Sequence, residues 1–225
     1  MRRICLAVLA GLMLCLGTTL FAGLKEADDL YNQGKYDEAL TEYQKVLPEL
    51  KGADAGRAQY KIGDCLFYQK KYNEAIEAYK GVFSIQGAGL STICSAQYCI
   101  GLVFESQKKY DEAISEFKKV MEMQGVSSSI GYAQYHIGIC LEAQGKPDEA
   151  QQYYLVVCRQ EGASLGLYKI AFSKIKKSKL TNEEYKDLLQ TMVRNINADN
   201  SEAGEFIGKL MSELDKIKKL EEITK

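Results

Sequence analysis

Tryptophan is absent from this chain of 225 residues, histidine occurs once and proline twice. A single histidine, His136, leaves no second imidazole for a histidine-built metal site or a proton relay, so it reads as a surface residue on the polar side of its helix. No Cys-x-x-Cys pair occurs, and neither a glycine-rich phosphate loop nor a nucleophile elbow is recognised. Lysine and arginine number 29 against 30 aspartates and glutamates, a net charge of −1, so no basic excess points to nucleic acid. One basic cluster, Lys174, Lys176, Lys177 and Lys179, lacks interleaved aromatics and reads as a solvated turn. These absences predict a protein that is not an enzyme, with no cofactor and no metal.

What is present is repetition. The stretch Ala58 to Val82, AQYKIGDCLFYQKKYNEAIEAYKGV, recurs as Ala96 to Val120 and as Ala133 to Val157, with a weaker copy from Ala22 to Val46. Ala39, Ala75, Ala113 and Ala150 hold one position in the four copies, at steps of 36, 38 and 37 residues. A fixed period of this size marks an array in which each element cannot bury its apolar face alone.

Within each copy, apolar residues fall one before and three after a small residue at Ala27, Gly63, Gly101 or Gly138, which makes a helical stripe. A second stripe follows a short polar break, as in Tyr72, Ala75, Ile76, Tyr79, Val82 and Phe83. Two such helices joined by few residues lie antiparallel. The small residues predict a close approach in which Gly63 faces Ala75, Gly101 faces Ala113 and Gly138 faces Ala150, with Tyr43, Tyr79, Phe117 and Tyr154 filling the space beside it. The pairs Asp37-Glu38, Asp111-Glu112 and Asp148-Glu149, with Asn73-Glu74 as a variant, suit first turns, where acidic side chains complement the helix dipole.

The order small residue, aromatic, Asp/Asn-Glu-Ala, aromatic resembles the tetratricopeptide repeat, over roughly Ala22 to Cys158. The family's signature tryptophan is replaced by Gly23, Gln59, Gln97 and Gln134. Its closing proline is replaced by Gly52, Gly87, Gly125 and Gly162, which suit left-handed helix ends. Pro147 falls in a first helical turn, where proline is tolerated. The resemblance implies an all-α fold: a right-handed α-solenoid of antiparallel helix pairs with C-terminal capping helices. The repeats span about 22–53, 56–89, 94–127 and 131–163, within 23–163, joined by Gly52-Ala-Asp-Ala-Gly56, Gly87-Ala-Gly89, Gly125-Val-Ser-Ser-Ser129 and Gly162-Ala-Ser164. A degenerate fifth pair follows over 164–195, its second helix opened by a capping box at Thr181-Asn-Glu-Glu184. An amphipathic helix over 200–223, striped by Phe206, Ile207, Leu210, Leu214, Ile217 and Leu220, either caps the array or docks on another protein.

Residues 1–22 differ from the rest. Arg2 and Arg3 precede the apolar run Ile4 to Leu16, and a more polar Gly17-Thr18-Thr19 leads to Leu20-Phe21-Ala22, the layout of a secretory signal peptide cleaved after Ala22. Loss of the two arginines would take the net charge from −1 to −3. The competing reading is an uncleaved membrane anchor, since Ile4 to Ala22 approaches spanning length. Lipidation would need a small residue before its cysteine, but Cys5 follows Ile4 and Cys15 follows Leu14. Beyond the leader Cys65, Cys94, Cys99, Cys140 and Cys158 remain, an odd number. Cys65 and Cys99 fall on neighbouring first helices, where a disulfide could join them.

Three residues before each small residue stand Leu24, Tyr60, Tyr98, Tyr135 and, in the fifth pair, Tyr168. The resemblance places first helices on a concave groove, and this row with them, alongside Arg57, Lys61, Asp64, Phe67, Tyr68 and Tyr132. Tyrosine brings a rigid apolar body and a hydroxyl, which suits recognition, while packing between repeats would use the same positions. Relatives that clamp the acidic carboxyl terminus of cytosolic chaperones use Lys, Asn and Arg here. In this chain Asp28 and Asp64 stand where Asn is expected and tyrosine replaces a key Lys, which disfavours that partner. The expected function is a scaffold that binds a peptide or protein segment, in a bacterial periplasmic or envelope setting. The alternative is an accessory subunit of an envelope assembly or secretion complex, docking through its last helix.

Overall fold

The computed structural model describes residues 20–123, 127–197 and 201–223, so the leader and its apolar run fall almost wholly outside the described residues. Among these the chain is all helix, with no strand: α1 (20–32), α2 (Tyr36–Val46), α3 (Gly52–Tyr68), α4 (Tyr72–Phe83), α5 (Leu90–Ser106), α6 (Tyr110–Glu122), α7 (Ser127–Ala143), α8 (Pro147–Arg159), α9 (Leu165–Ser173), α10 (Asn182–Asn195) and α11 (Ser201–Ile223). They form two compact units, Met1–Ser106 and Gln107–Lys225.

In the first unit α2 packs on α3, α3 on α4, and α4 on α5. The alanines at the repeat position, Ala39 and Ala75, are fully buried, as are Ala27, Cys65 and Val82. Gly63 is needed for a tighter contact than the one expected: a Cβ there would lie 2.5 Å from the ring of Tyr79, which reaches across from α4. The glycine clears space for an aromatic ring, with Ala75 buried beside it.

The segment 52–56 is the opening of α3, not a connector. A 3-10 turn at Leu47–Glu49 takes the chain off α2, and Gly52, at φ +57°, starts the next helix. Gly56 is small because a Cβ would meet Ala88 at 2.7 Å. The 87–89 connector is a loop, with Gly87 and Gly89 both in the left-handed region at φ +81° and +84°. Gln59, in the place of the family's tryptophan, donates to the carbonyl of Ala78 at 2.8 Å and lines an open cleft of about 440 Å³ with Leu47, Leu50, Ala55 and Ile85.

In the second unit α6, α7, α8 and α9 pack in succession, and α10 packs on both α8 and α11. Gly138 repeats the role of Gly63, its Cβ position lying 2.4 Å from the ring of Tyr154. The Thr181 hydroxyl accepts the Glu184 N–H at 3.2 Å, and the Glu184 carboxylate takes the Thr181 N–H at 2.8 Å, so the capping box that opens α10 is complete. Ala203, Leu210, Leu214 and Ile217 of α11 are buried in one core with Leu188, Leu189 and Met192 of α10. Phe206 and Ile207 are half-buried there, whereas Leu220 at the end of the stripe is 56 % exposed. The last helix therefore uses most of its apolar stripe within its own unit.

Candidate functional site

On α3, Arg57, Lys61, Asp64 and Tyr68 follow one another at steps of four, three and four residues, which puts them on a single helical stripe. On α1, Asp28 and Tyr31 are one turn apart and meet that stripe. Tyr31 donates to Asp64 Oδ2 at 3.0 Å, and Arg57 lies 3.7 Å from Asp28 Oδ2 and 3.8 Å from Asp54. The Lys61 ammonium sits 3.7 Å from the centroid of the Tyr31 ring and 3.4 Å from Asp64 Oδ2. Tyr68, 52 % exposed, stacks on Tyr36 of α2 at 4.3 Å. Phe67, half-buried, lies between Tyr68 and Tyr72.

Asp64 is the buried centre of this face. Besides Tyr31 and Lys61 it takes the Tyr79 hydroxyl of α4 at 2.9 Å. Burial raises its carboxyl above the usual range, opposed by the Tyr79 hydroxyl, the Lys61 charge and the Tyr31 hydroxyl. One turn away Tyr60 packs on Tyr79 with centroids 5.7 Å apart, and its hydroxyl lies 3.5 Å from Cys99 Sγ on α5. Tyr98 is half-buried on α5.

Cys65 and Cys99 are free thiols with different surroundings. Cys99 faces the hydroxyls of Tyr60 and Tyr79, and burial pushes its thiol up to about 11. Cys65 feels chiefly burial and then Asp64, which push it up to about 12. Burial, opposed by the Arg159 charge, pushes Cys158 up to about 12. These thiols stay protonated at neutral pH and behave as small apolar groups.

Three tyrosines of the expected row and its neighbours belong to the second unit. Tyr132 is exposed, its hydroxyl 3.2 Å from Ser164 Oγ, and Tyr135 is half-buried against Tyr154. Tyr168 is fully buried and donates its hydroxyl to the Gln160 carbonyl, so it is a core residue and lines no surface. His136 is half-buried between the rings of Phe117 and Tyr135, which removes it from the surface position expected of it. Ser164 lies in a Gly-Ala-Ser-Leu-Gly sequence that spells a nucleophile elbow, yet it caps α9 by accepting the Leu167 N–H at 3.2 Å. Three of the four lysines of the basic cluster are in ion pairs: Lys174 with Glu142 at 2.8 Å, Lys179 with Asp148 at 3.0 Å and Lys177 with Glu213 at 3.9 Å.

Tyr31 and Tyr36 were not among the residues singled out by spacing. Tyr31 stands four after Ala27, the register of Phe67 after Gly63, and Tyr36 matches Tyr72, so repeat alignment carries the signal for both. Among the described residues no group of His, Cys, Asp and Glu could hold a metal ion, and no helix is long and apolar enough to cross a membrane.

Paired antiparallel helices, a repeat-phased small residue and an aromatic clamped over it define an all-α helical-repeat protein. Two family profiles, each described as the tetratricopeptide repeat, match residues 24–84 and 92–159, and the chain belongs to that family. Its fold is similar to MamA 41-end from Desulfovibrio magneticus RS-1, with 17 % identity over 88 % of this chain and 95 % of that one and a TM-score of 0.50. An RS-1 MamA double mutant gives the same identity and TM-score over 88 % of this chain and 94 % of that one. A Podosopora anserina kinesin light chain of nearly identical repeats matches at 14 % identity over 92 % and 96 %, again with a TM-score of 0.50. No curated protein sequence matches the chain.

Proposed function

We propose that this tetratricopeptide-repeat protein is a non-catalytic scaffold that seats a peptide or an extended protein segment on the first-helix face of its first unit, along α1 and α3. The family supports protein–protein interaction. The observation that carries the location is the stripe Arg57, Lys61, Asp64 and Tyr68, in which the buried Asp64 carboxylate fixes Lys61 beside it and Tyr31 across from α1, Tyr36 backs Tyr68, and Arg57 and Tyr68 stay exposed. A face fixed in this way loses little side-chain freedom on binding, which favours recognition.

The arginine-led apolar leader supports export to a bacterial periplasm or cell envelope, with residues 1–22 removed, or retained as an anchor. Docking through α11 has less support, because that helix already buries Ala203, Leu210, Leu214 and Ile217. The test is crosslinking in the native envelope followed by mass spectrometry, with Tyr68→Ala and Arg57→Ala beside the wild type. Loss of the captured partner in both variants, with unchanged circular dichroism, is the expected result. Full capture by both, or a cytoplasmic chain that keeps residues 1–22, would overturn the face and the compartment respectively.

A further inference from the structure

We infer that the α1–α3 face takes a cationic segment, one carrying arginine or lysine, and turns acidic segments away. This rests on the reading of that face as the binding site and adds the charge of what binds there.

The first support is a charge count along the stripe. Asp28, Asp54 and Asp64 oppose Arg57 and Lys61, so three carboxylates meet two cations. Both cations are already answered from within the face, Arg57 by Asp28 and Asp54, and Lys61 by Asp64. An incoming carboxylate would compete with three carboxylates for two cations that already have acidic neighbours, a mismatch of sign that costs affinity and slows encounter. An incoming cation finds acceptors. Arg57 stands beyond hydrogen-bond length from both partners, at 3.7 Å and 3.8 Å, so Asp28 Oδ2 and Asp54, the latter 66 % exposed, keep acceptor capacity.

The second support is that the chain displays such a complex inside itself. Lys61 rests on the Tyr31 ring with its charge beside Asp64, an aromatic face and a carboxylate holding one ammonium. Tyr68 offers a comparable ring: Tyr36 covers one face at 4.3 Å, and half of the side chain remains open to solvent. An arginine plane laid on Tyr68 would complete a stack that the fold has begun.

From Asp54 to Tyr68 the helix rises about 21 Å at 1.5 Å per residue. An extended segment of about six residues spans that length. The face therefore suits a segment with one cation over Tyr68 and a second, some six residues away, between Asp28 and Asp54.

The experiment is a heteronuclear NMR titration of the full chain at low salt with three heptapeptides, Arg-Ala-Gly-Ser-Ala-Gly-Arg and its versions with both arginines replaced by glutamine or by glutamate. The arginine peptide is expected to shift amides of α1 and α3 and to bind about tenfold more tightly than the glutamate peptide. Addition of salt should erode that difference. Tyr68→Ala and Asp54→Asn, both at exposed positions, should each weaken it several-fold while leaving the remaining spectrum in place. Equal binding of the glutamine and arginine peptides at this face would overturn the charge inference and leave the face standing. Tighter binding of the glutamate peptide would do the same. If no peptide shifts an amide of α1 or α3, both fall.

Discussion

Aspartate and tyrosine travel together here. Asp28 follows Ala27 and accepts the Tyr43 hydroxyl at 2.6 Å; Asp64 follows Gly63 and accepts that of Tyr79 at 2.9 Å. In the third repeat Leu102 follows Gly101 and Phe117 holds the ring position, so donor and acceptor are lost together. The fourth keeps Tyr154 but has Ile139 after Gly138, and among the described residues the Tyr154 hydroxyl is buried without a hydrogen-bond partner. After burial, the charge of Glu142 and a weak hydrogen-bonding contact toward it also raise that hydroxyl, but the contact falls short of full bonding geometry and the Glu142 carboxylate is taken by Lys174 at 2.8 Å. Removing a donor from a buried carboxylate costs about 1.5–3 kcal/mol, whereas deleting an unmatched hydroxyl costs little. Tyr79→Phe should therefore lower stability by about that amount in urea unfolding, and Tyr154→Phe should stay within about 0.5 kcal/mol of wild type or exceed it. Equal losses would refute the pairing. Asp64 also sets a pH dependence. Its folded carboxyl lies above the ordinary range, chiefly through burial, so the folded chain holds that proton more tightly than the unfolded one. Its contribution is complete below the ordinary carboxylate range and fades as pH rises through the folded value. The stability of wild type relative to Asp64→Asn should grow as pH is lowered from about 7 to about 4. Glu184, held low by the Thr181 N–H, and Glu213, held low by Lys216, lose stability in the opposite sense, but they are common to both proteins and cancel.

At the scale of the helix pair, much was legible because burying one face of a helix imposes a 3.6-residue period on the sequence. The second helices start at Tyr36, Tyr72, Tyr110 and Pro147, where their stripes start. The stretch 52–56 has the composition of a connector yet opens a helix, for a physical reason. Glycine serves both backbone reversal, as at Gly52 with φ +57°, and close approach, as at Gly56 beneath Ala88, and composition alone cannot separate the two. The partner of the small residue was also displaced, since spacing shows which residues share a face but not how far a ring reaches across it. Gly138→Ala would drive a methyl toward the Tyr154 ring at 2.4 Å and should cost about 1–3 kcal/mol. In a Tyr154→Leu background the same change should cost less, because the ring it strikes is gone. Identical costs in the two backgrounds, measured by urea unfolding, would place the clash elsewhere.

Over the whole chain, the fate of a repeated position depends on what covers it. Tyr60, Tyr135 and Tyr168 share one register, yet the first two are half-buried and the third is sealed in a core with α10 and α11. No local pattern around Tyr168 could announce this, since the core it joins is completed by Leu188, Met192 and Leu210, which lie 20 to 42 positions further on. The candidate face was legible for the opposite reason: Arg57, Lys61, Asp64 and Tyr68 lie within about three turns of one helix, and their partners Tyr31 and Tyr36 are reached by aligning the repeats, though their contacts with the stripe needed the fold. The same reasoning gives the last helix two sides with different sensitivities. Leu214 is 5 % exposed and faces α10, whereas Met211 is 44 % exposed. Leu214→Glu would bury an unpaired charge and should cost several kcal/mol, seen as an earlier thermal transition. Met211→Glu should stay within about 0.5 kcal/mol of wild type. If α11 is a cover, Met211→Glu also leaves partner capture intact. If that variant folds normally and loses its partner, the outer side of α11 is a docking surface and the face on α1 and α3 is not where this scaffold does its work.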